Sequence, residues 1–144
     1  MEPFVFIITP LLAGLLAQVI KFLIFSFRHG FDWRFLFEYG HMPSSHTAMM
    51  SSLIWTIGWY NSPTSPEFAV ALMVTLLIIS DALRLRIYIG SYGKTLNDLV
   101  DHLRVEDYSA LPKLKERVGH RPSEVFGGLI LGIVTAIIVI ELVS

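Results

Sequence analysis

The stretch "FVFIITPLLAGLLAQVIKFLIFSF" (Phe4–Phe27) decides the fold, because in 24 residues its only strongly polar members are Gln18 and Lys21. A transmembrane helix needs roughly 20 mostly apolar residues. The run is too long for the apolar part of a signal peptide, and Met1-Glu2-Pro3 lacks the basic flank that such a peptide carries. It reads as a retained span. Three further segments fit the same reading: Ser45–Tyr60, Phe68–Ile89 and Val125–Val143. Ser45–Tyr60 is short, so it crosses only if its first turn lies in the interface, and a buried or re-entrant helix is the alternative. Val125–Val143 is the cleanest, interrupted only by Thr135 and Glu141.

Composition agrees. The chain has 144 residues, enough for one domain over 1–144, and is 53% hydrophobic. Only 16% of it is charged, against about 25% in soluble domains, and its mean hydropathy is +0.60. A net charge of −1 leaves no basic surplus for nucleic acid. The absence of cysteine excludes disulfides and thiolate chemistry. The expected fold is an all-α, polytopic membrane bundle of about four transmembrane helices plus short interfacial amphipathic helices.

All eleven Lys and Arg residues fall on one side of that bundle or at its edge: Lys21, Arg28 and Arg34, then eight from Arg84 to Arg121. The other side holds Glu2, the "NSPTSPE" turn and Glu141, without a basic residue. The positive-inside rule then predicts that both termini lie outside and both basic loops in the cytoplasm. In "KTLNDLVDHLR" (Lys94–Arg104), Leu96, Leu99, Val100 and Leu103 follow the spacing of an amphipathic helix that lies on the cytoplasmic surface or caps the bundle, with a simple connector as the alternative. Asp32-Trp33-Arg34 among phenylalanines suggests a second interfacial segment.

Polar groups gather toward the basic side. At 1.5 Å per residue, Lys21 lies about 26 Å along the first span and Asp81 about 20 Å along the third. Lys21 and Arg28 share a helix face, as do Asp81, Arg84 and Tyr88. Ionisable groups at such depth are functional by default, with snorkelling to the headgroups as the alternative for Lys21 and Arg28. Two helices start at the same surface. Ser44 and Ser45 suit the N-cap of the second span, and in "GHRPSEVFGG" Pro122 suits a first helical position, followed by Ser123 and Glu124. Helix starts present unpaired N–H groups and partial positive charge, hence an anion site. With Lys21 and Arg84 or Arg86 nearby, the site suits phosphate. His46 follows the serines. His120 stands four residues before Glu124, whose carboxylate could fix the imidazole tautomer and sharpen its free nitrogen as nucleophile or base. His29, His41 and His102 have no such partner in the sequence and read as loop or surface residues.

At these residues the chain resembles the type 2 phosphatidic acid phosphatase superfamily, and specifically its divergent branch, described as acid phosphatase/vanadium-dependent haloperoxidase-related. "GHMPSSHTA" is similar to that branch's Gly-Gly-Met-Pro-Ser-Ser-His-Ser-Ala signature, and "GHRPSEVFGGLILG" to its Gly-His-x-Pro-x-Glu-Val motif. "AQVIKFL" and "SDALRLR" fit as well, so the likeness covers nearly the whole chain. The resemblance implies metal-independent hydrolysis of a phosphate monoester through a phosphohistidine, with no cofactor. By motif, His120 resembles the nucleophile, Glu124 its orienting carboxylate and His46 the general acid. Lys21, Arg28, Ser44 and Ser45 resemble phosphate ligands, and Asp81, Arg84 and Arg86 are further candidates on the substrate side.

The chain departs from the superfamily at three points. Ser45 stands where a glycine is usual, His29 where a proline follows Arg28, and Leu114 where an arginine lies six residues before the nucleophile. Arg84 or Arg86 would have to supply that second clamp. The expected substrate is a lipid phosphate held in the bilayer, such as phosphatidylglycerol phosphate, phosphatidate or a prenyl phosphate. A non-catalytic headgroup-binding or scaffold protein is the main alternative, and a small transporter or proton relay using Asp81 a third. Gly128-x-x-x-Gly132 and Ala13-x-x-x-Ala17 permit close helix approach, either within the chain or between copies in a homo-oligomer.

Overall fold

The structure is a computed structural model and describes residues 4–30, 42–103, 113–114 and 122–143. These form four helices: α1 (Val5–His29), α2 (Ser45–Asn61), α3 (Pro66–Leu103) and α4 (Pro122–Val143), with no strand among the described residues. Three of them, α1, α3 and α4, are long and apolar enough to cross a membrane. The fourth, α2, has 17 residues, about 26 Å of helix, against a hydrocarbon core of roughly 30 Å.

The short helix is the centre of the bundle, and α1, α3 and α4 all pack on it. Its inner residues are small or hydroxylic: Thr47, Ala48, Ser51, Ser52 and Thr56 are buried. The hydroxyls are satisfied without water. Ser52 donates to the Met49 carbonyl (2.8 Å), Thr56 to that of Ser52 (2.9 Å), and Ser51 to Ala48 and across to Leu129 of α4 (3.2 Å each). The buried face of α1 reads Val5, Thr9, Ala13, Ala17 and Lys21 at every fourth residue, with two alanines at its middle. Large apolar side chains such as Leu11, Leu15, Leu77, Phe126 and Ile138 are exposed instead. In lipid this is the stable arrangement, because tails solvate leucine well and helices gain most by close approach of small residues.

Contacts along α2 set the register. Phe6 meets Tyr60 edge-on (5.7 Å, 66°), Gly14 faces Met49, and Gln18 reaches Ser45, so α1 and α2 run antiparallel. Gly128 lies against Ser44 and Thr47, and Gly132 against Ala48 and Ser51, so α4 runs parallel to α2 with both starts at one end. The glycine pair thus serves packing within the chain. A Cβ at Gly128 would strike the Ser44 carbonyl, and one at Gly132 the Ser51 hydroxyl and the Ala48 carbonyl. Ala13 and Ala17 likewise pack with Ala48.

Ser65 caps α3 by accepting from the Phe68 N–H (3.2 Å), and Pro66 and Glu67 fill the first turn. The helix then runs 38 residues, about 57 Å. Residues 94–103 are helical, as their spacing requires, but they continue α3 and do not begin a separate surface helix. No proline interrupts 67–103, and Gly90 and Gly93 stay helical, so nothing ends the ladder. Asp32-Trp33-Arg34 lies outside the described residues.

Candidate active site at the paired helix starts

The N-terminal ends of α2 and α4 meet side by side. Ser44, fully buried, caps α2: its Oγ accepts from the Thr47 N–H (3.4 Å) and the Thr47 hydroxyl (3.1 Å). Its own N–H donates to the backbone carbonyl of Glu124 in the first turn of α4 (3.0 Å). Gly128, one turn further along α4, makes room for this contact. Two helix starts therefore lie within one hydrogen bond of each other, and their partial positive charges add at that end. The chain enters α2 through a cis Met42–Pro43 bond.

A third element closes on the same place. Ser45 Oγ donates to Gln18 Oε1 on α1 (3.1 Å), and Lys21, one turn along α1, is only 7% exposed. Buried Lys21 thus lies on α1 one turn beyond the residue that bonds to the first turn of α2. The fold therefore brings Lys21, Ser44, Ser45 and Glu124 to one end of the bundle. His46 sits in the first turn of α2 and is exposed. Glu124 is half-buried in the first turn of α4, and Pro122 is the first helical residue, as the sequence suggested.

Other candidates are less centrally held. Asp81 and Arg84 lie on α3 and are exposed in the chain, not enclosed by the other helices. Arg28 and Arg86 belong to α1 and α3, with side chains outside the described residues. His120 also lies outside the described residues, as do His41 and Arg121. His102, in the last turn of α3, is an exposed surface residue whose Nδ1 lies 2.8 Å from the Asp98 carbonyl.

Two polar residues took no role in the sequence reading. Gln18 holds Ser45 on α1, and its signal was an amide in an apolar run one turn before Lys21. Asn97 pairs with the backbone of Leu114 through both ends of its carboxamide. Its Nδ2 donates to the Leu114 carbonyl (3.0 Å), and its Oδ1 accepts from the Leu114 N–H (3.1 Å). No sequence pattern marks that pairing, which joins residues 17 apart.

A small-residue helical bundle with three helices apolar enough to cross a membrane is the architecture of an integral membrane protein. The chain belongs to the divergent PAP2 family, whose model matches residues 4–135. It is also 31% identical to the uncharacterized membrane protein YuiD of Bacillus subtilis, over 92% of this chain and 91% of that one. No solved structure is detectably similar.

Proposed function

We propose that the protein is a metal-independent phosphatase that releases phosphate from a lipid phosphate monoester at the cytoplasmic leaflet. The observation that carries this reading is the hydrogen bond from the Ser44 N–H to the Glu124 carbonyl, which joins the two motif-bearing helix starts beside buried Lys21. Phosphoryl transfer asks mainly for positioning and charge stabilisation, and N–H groups with an ammonium supply both. His120 attacks phosphorus while the bond to the leaving alkoxide breaks, and His46 gives that oxygen its proton. Glu124 orients the His120 imidazole. Water then attacks the phosphohistidine, giving a proton back to His46, and inorganic phosphate leaves. Lys21, Ser44, Ser45 and Arg28 hold the phosphoryl oxygens, with Arg84 or Arg86 as a further clamp beside Asp81. Phosphatidylglycerol phosphate, phosphatidate and prenyl phosphates are the substrate candidates, and the basic loops orient the site toward the cytoplasm.

The test is phosphate release from a panel of defined lipid phosphates, with and without a chelator. Hydrolysis is expected to survive chelation, to vanish in His120→Ala, and to stall as a phosphoenzyme in His46→Ala. Loss of release on chelation, or full activity in His120→Ala, overturns the proposal. A second reading, a headgroup-binding protein without turnover, draws on Leu114 standing where the superfamily has an arginine. Tight binding of the same lipids without release by the unaltered protein would favour it.

A further inference from the structure

A groove of about 490 Å³ runs between α2 and α3, with Met50, Leu53 and Ile57 on one wall and Val70, Ala71 and Val74 on the other. We propose that it seats one hydrocarbon chain of the lipid phosphate whose headgroup occupies the paired helix starts, and that Ile57 and Val70 limit the chain length accepted. This rests on the lipid-phosphate reading of the headgroup site, though not on turnover.

Three observations carry it. First, His46, Met50, Leu53 and Ile57 follow one another at spacings of four, three and four residues, so they share one face of α2. The groove wall is the direct continuation of the face that bears His46. Second, Gly58 packs on Phe68 and fixes the antiparallel register of α2 and α3. Twelve residues back along α2 and twelve forward along α3, His46 comes level with Ser80, beside exposed Asp81 and one turn from exposed Arg84. His46 on α2 and the charged turn of α3 thus lie beyond the Met50 end of the groove, on the side where a headgroup belongs. The groove's outer end is bounded by Glu67. Third, the eleven residues from His46 to Ile57 span about 17 Å, close to the roughly 15 Å depth of one leaflet of hydrocarbon.

A neighbouring helix is a poorer occupant. Close helix pairing needs small residues, and this chain's Gly128 and Gly132 are already packed against α2 from the other side. Apart from Ala71, the groove walls carry branched and long apolar side chains, which suit a flexible chain.

The experiment uses the full protein in liposomes with phosphatidate bearing a diazirine near the end of one acyl chain, and the matching diacylglycerol as control. Photolabelling is expected on α2 and α3 peptides around Ile57 and Val70. Phosphatidate should label about tenfold more than the control, the ratio given by 1.4 kcal/mol of headgroup binding, and unlabelled phosphatidate should compete. Equal labelling by both lipids means bulk lipid only and overturns the proposal, as does labelling confined to the outward faces of α1 and α4. Val70→Trp narrows the groove's far end at an exposed position. It should shift competition toward shorter-chain phosphatidates by about tenfold, and an unchanged preference also overturns the proposal. So does near-complete cross-linking between copies by a bifunctional thiol reagent in Val74→Cys, feasible because the chain has no cysteine. Labelling without phosphate release would sink the hydrolytic reading alone, and release with equal labelling would sink the groove alone.

Discussion

Lys21 carries most of the electrostatic argument at the scale of single residues. Lys21 is only 7% exposed, and burying a charged side chain costs desolvation energy. In the proposed site Lys21→Met is expected to raise the lipid phosphate concentration for half-saturation by about tenfold or more, beyond what any loss of thermal stability accounts for. Thermal unfolding in detergent and a substrate titration measure the two halves, and a parallel fall in both would make Lys21 structural. Asn97 works the other way. Its two hydrogen bonds fix the Leu114 peptide, so Asn97→Ala should cost about 1–3 kcal/mol. Hydrogen exchange at the Leu114 amide should rise in that variant, and protection equal to the unaltered protein would contradict the pairing.

Among elements, the α2–α4 seam controls the site, because both helix starts meet across it. Three α4 glycines facing this region differ in what they meet. Gly128 and Gly132 face backbone carbonyls and the Ser51 hydroxyl, whereas Gly127 faces the flexible end of Met42 (2.9 Å) and Pro43. Gly128→Ala or Gly132→Ala should destabilise by roughly 1–3 kcal/mol and pull the helix starts apart, abolishing phosphate release. Gly127→Ala should stay within about 0.5 kcal/mol, since Met42 can swing aside and alanine favours helix. Equal effects at the three positions would contradict the seam. Unfolding midpoints of the three single variants decide the matter.

For the whole molecule, the charge asymmetry and the antiparallel α1–α2–α3 path together predict a cytoplasmic site with the α2–α3 turn outside. Native absence of cysteine makes this easy to read. Thr64→Cys, at an exposed turn, should react with a membrane-impermeant thiol reagent on intact cells. Lys113→Cys, also exposed, should react only after permeabilisation. The opposite pattern would put the site outside and reassign the substrate leaflet.

The sequence by itself determined that the chain is a helical membrane bundle, where most helices begin, and which motifs gather at one end. Those properties are written in local terms: runs of apolar residues, Ser44 and Pro122 at helix starts, and charge on one side. It also exposed Lys21, since an ammonium in an apolar run stands out. Only the tertiary structure decided that α2, the weakest candidate span by length, is the central helix. Its serines and threonines lower its apparent hydropathy, yet they bond to helix carbonyls and allow close packing. The union of residues 94–103 with the third span was likewise hidden, because amphipathic spacing gives a face and not a boundary. The pairing of Asn97 with Leu114, the hold of Gln18 on Ser45 and the α2–α3 groove depend on register between separate segments. Register follows from how small residues mesh across the whole bundle, and no window of sequence contains that information.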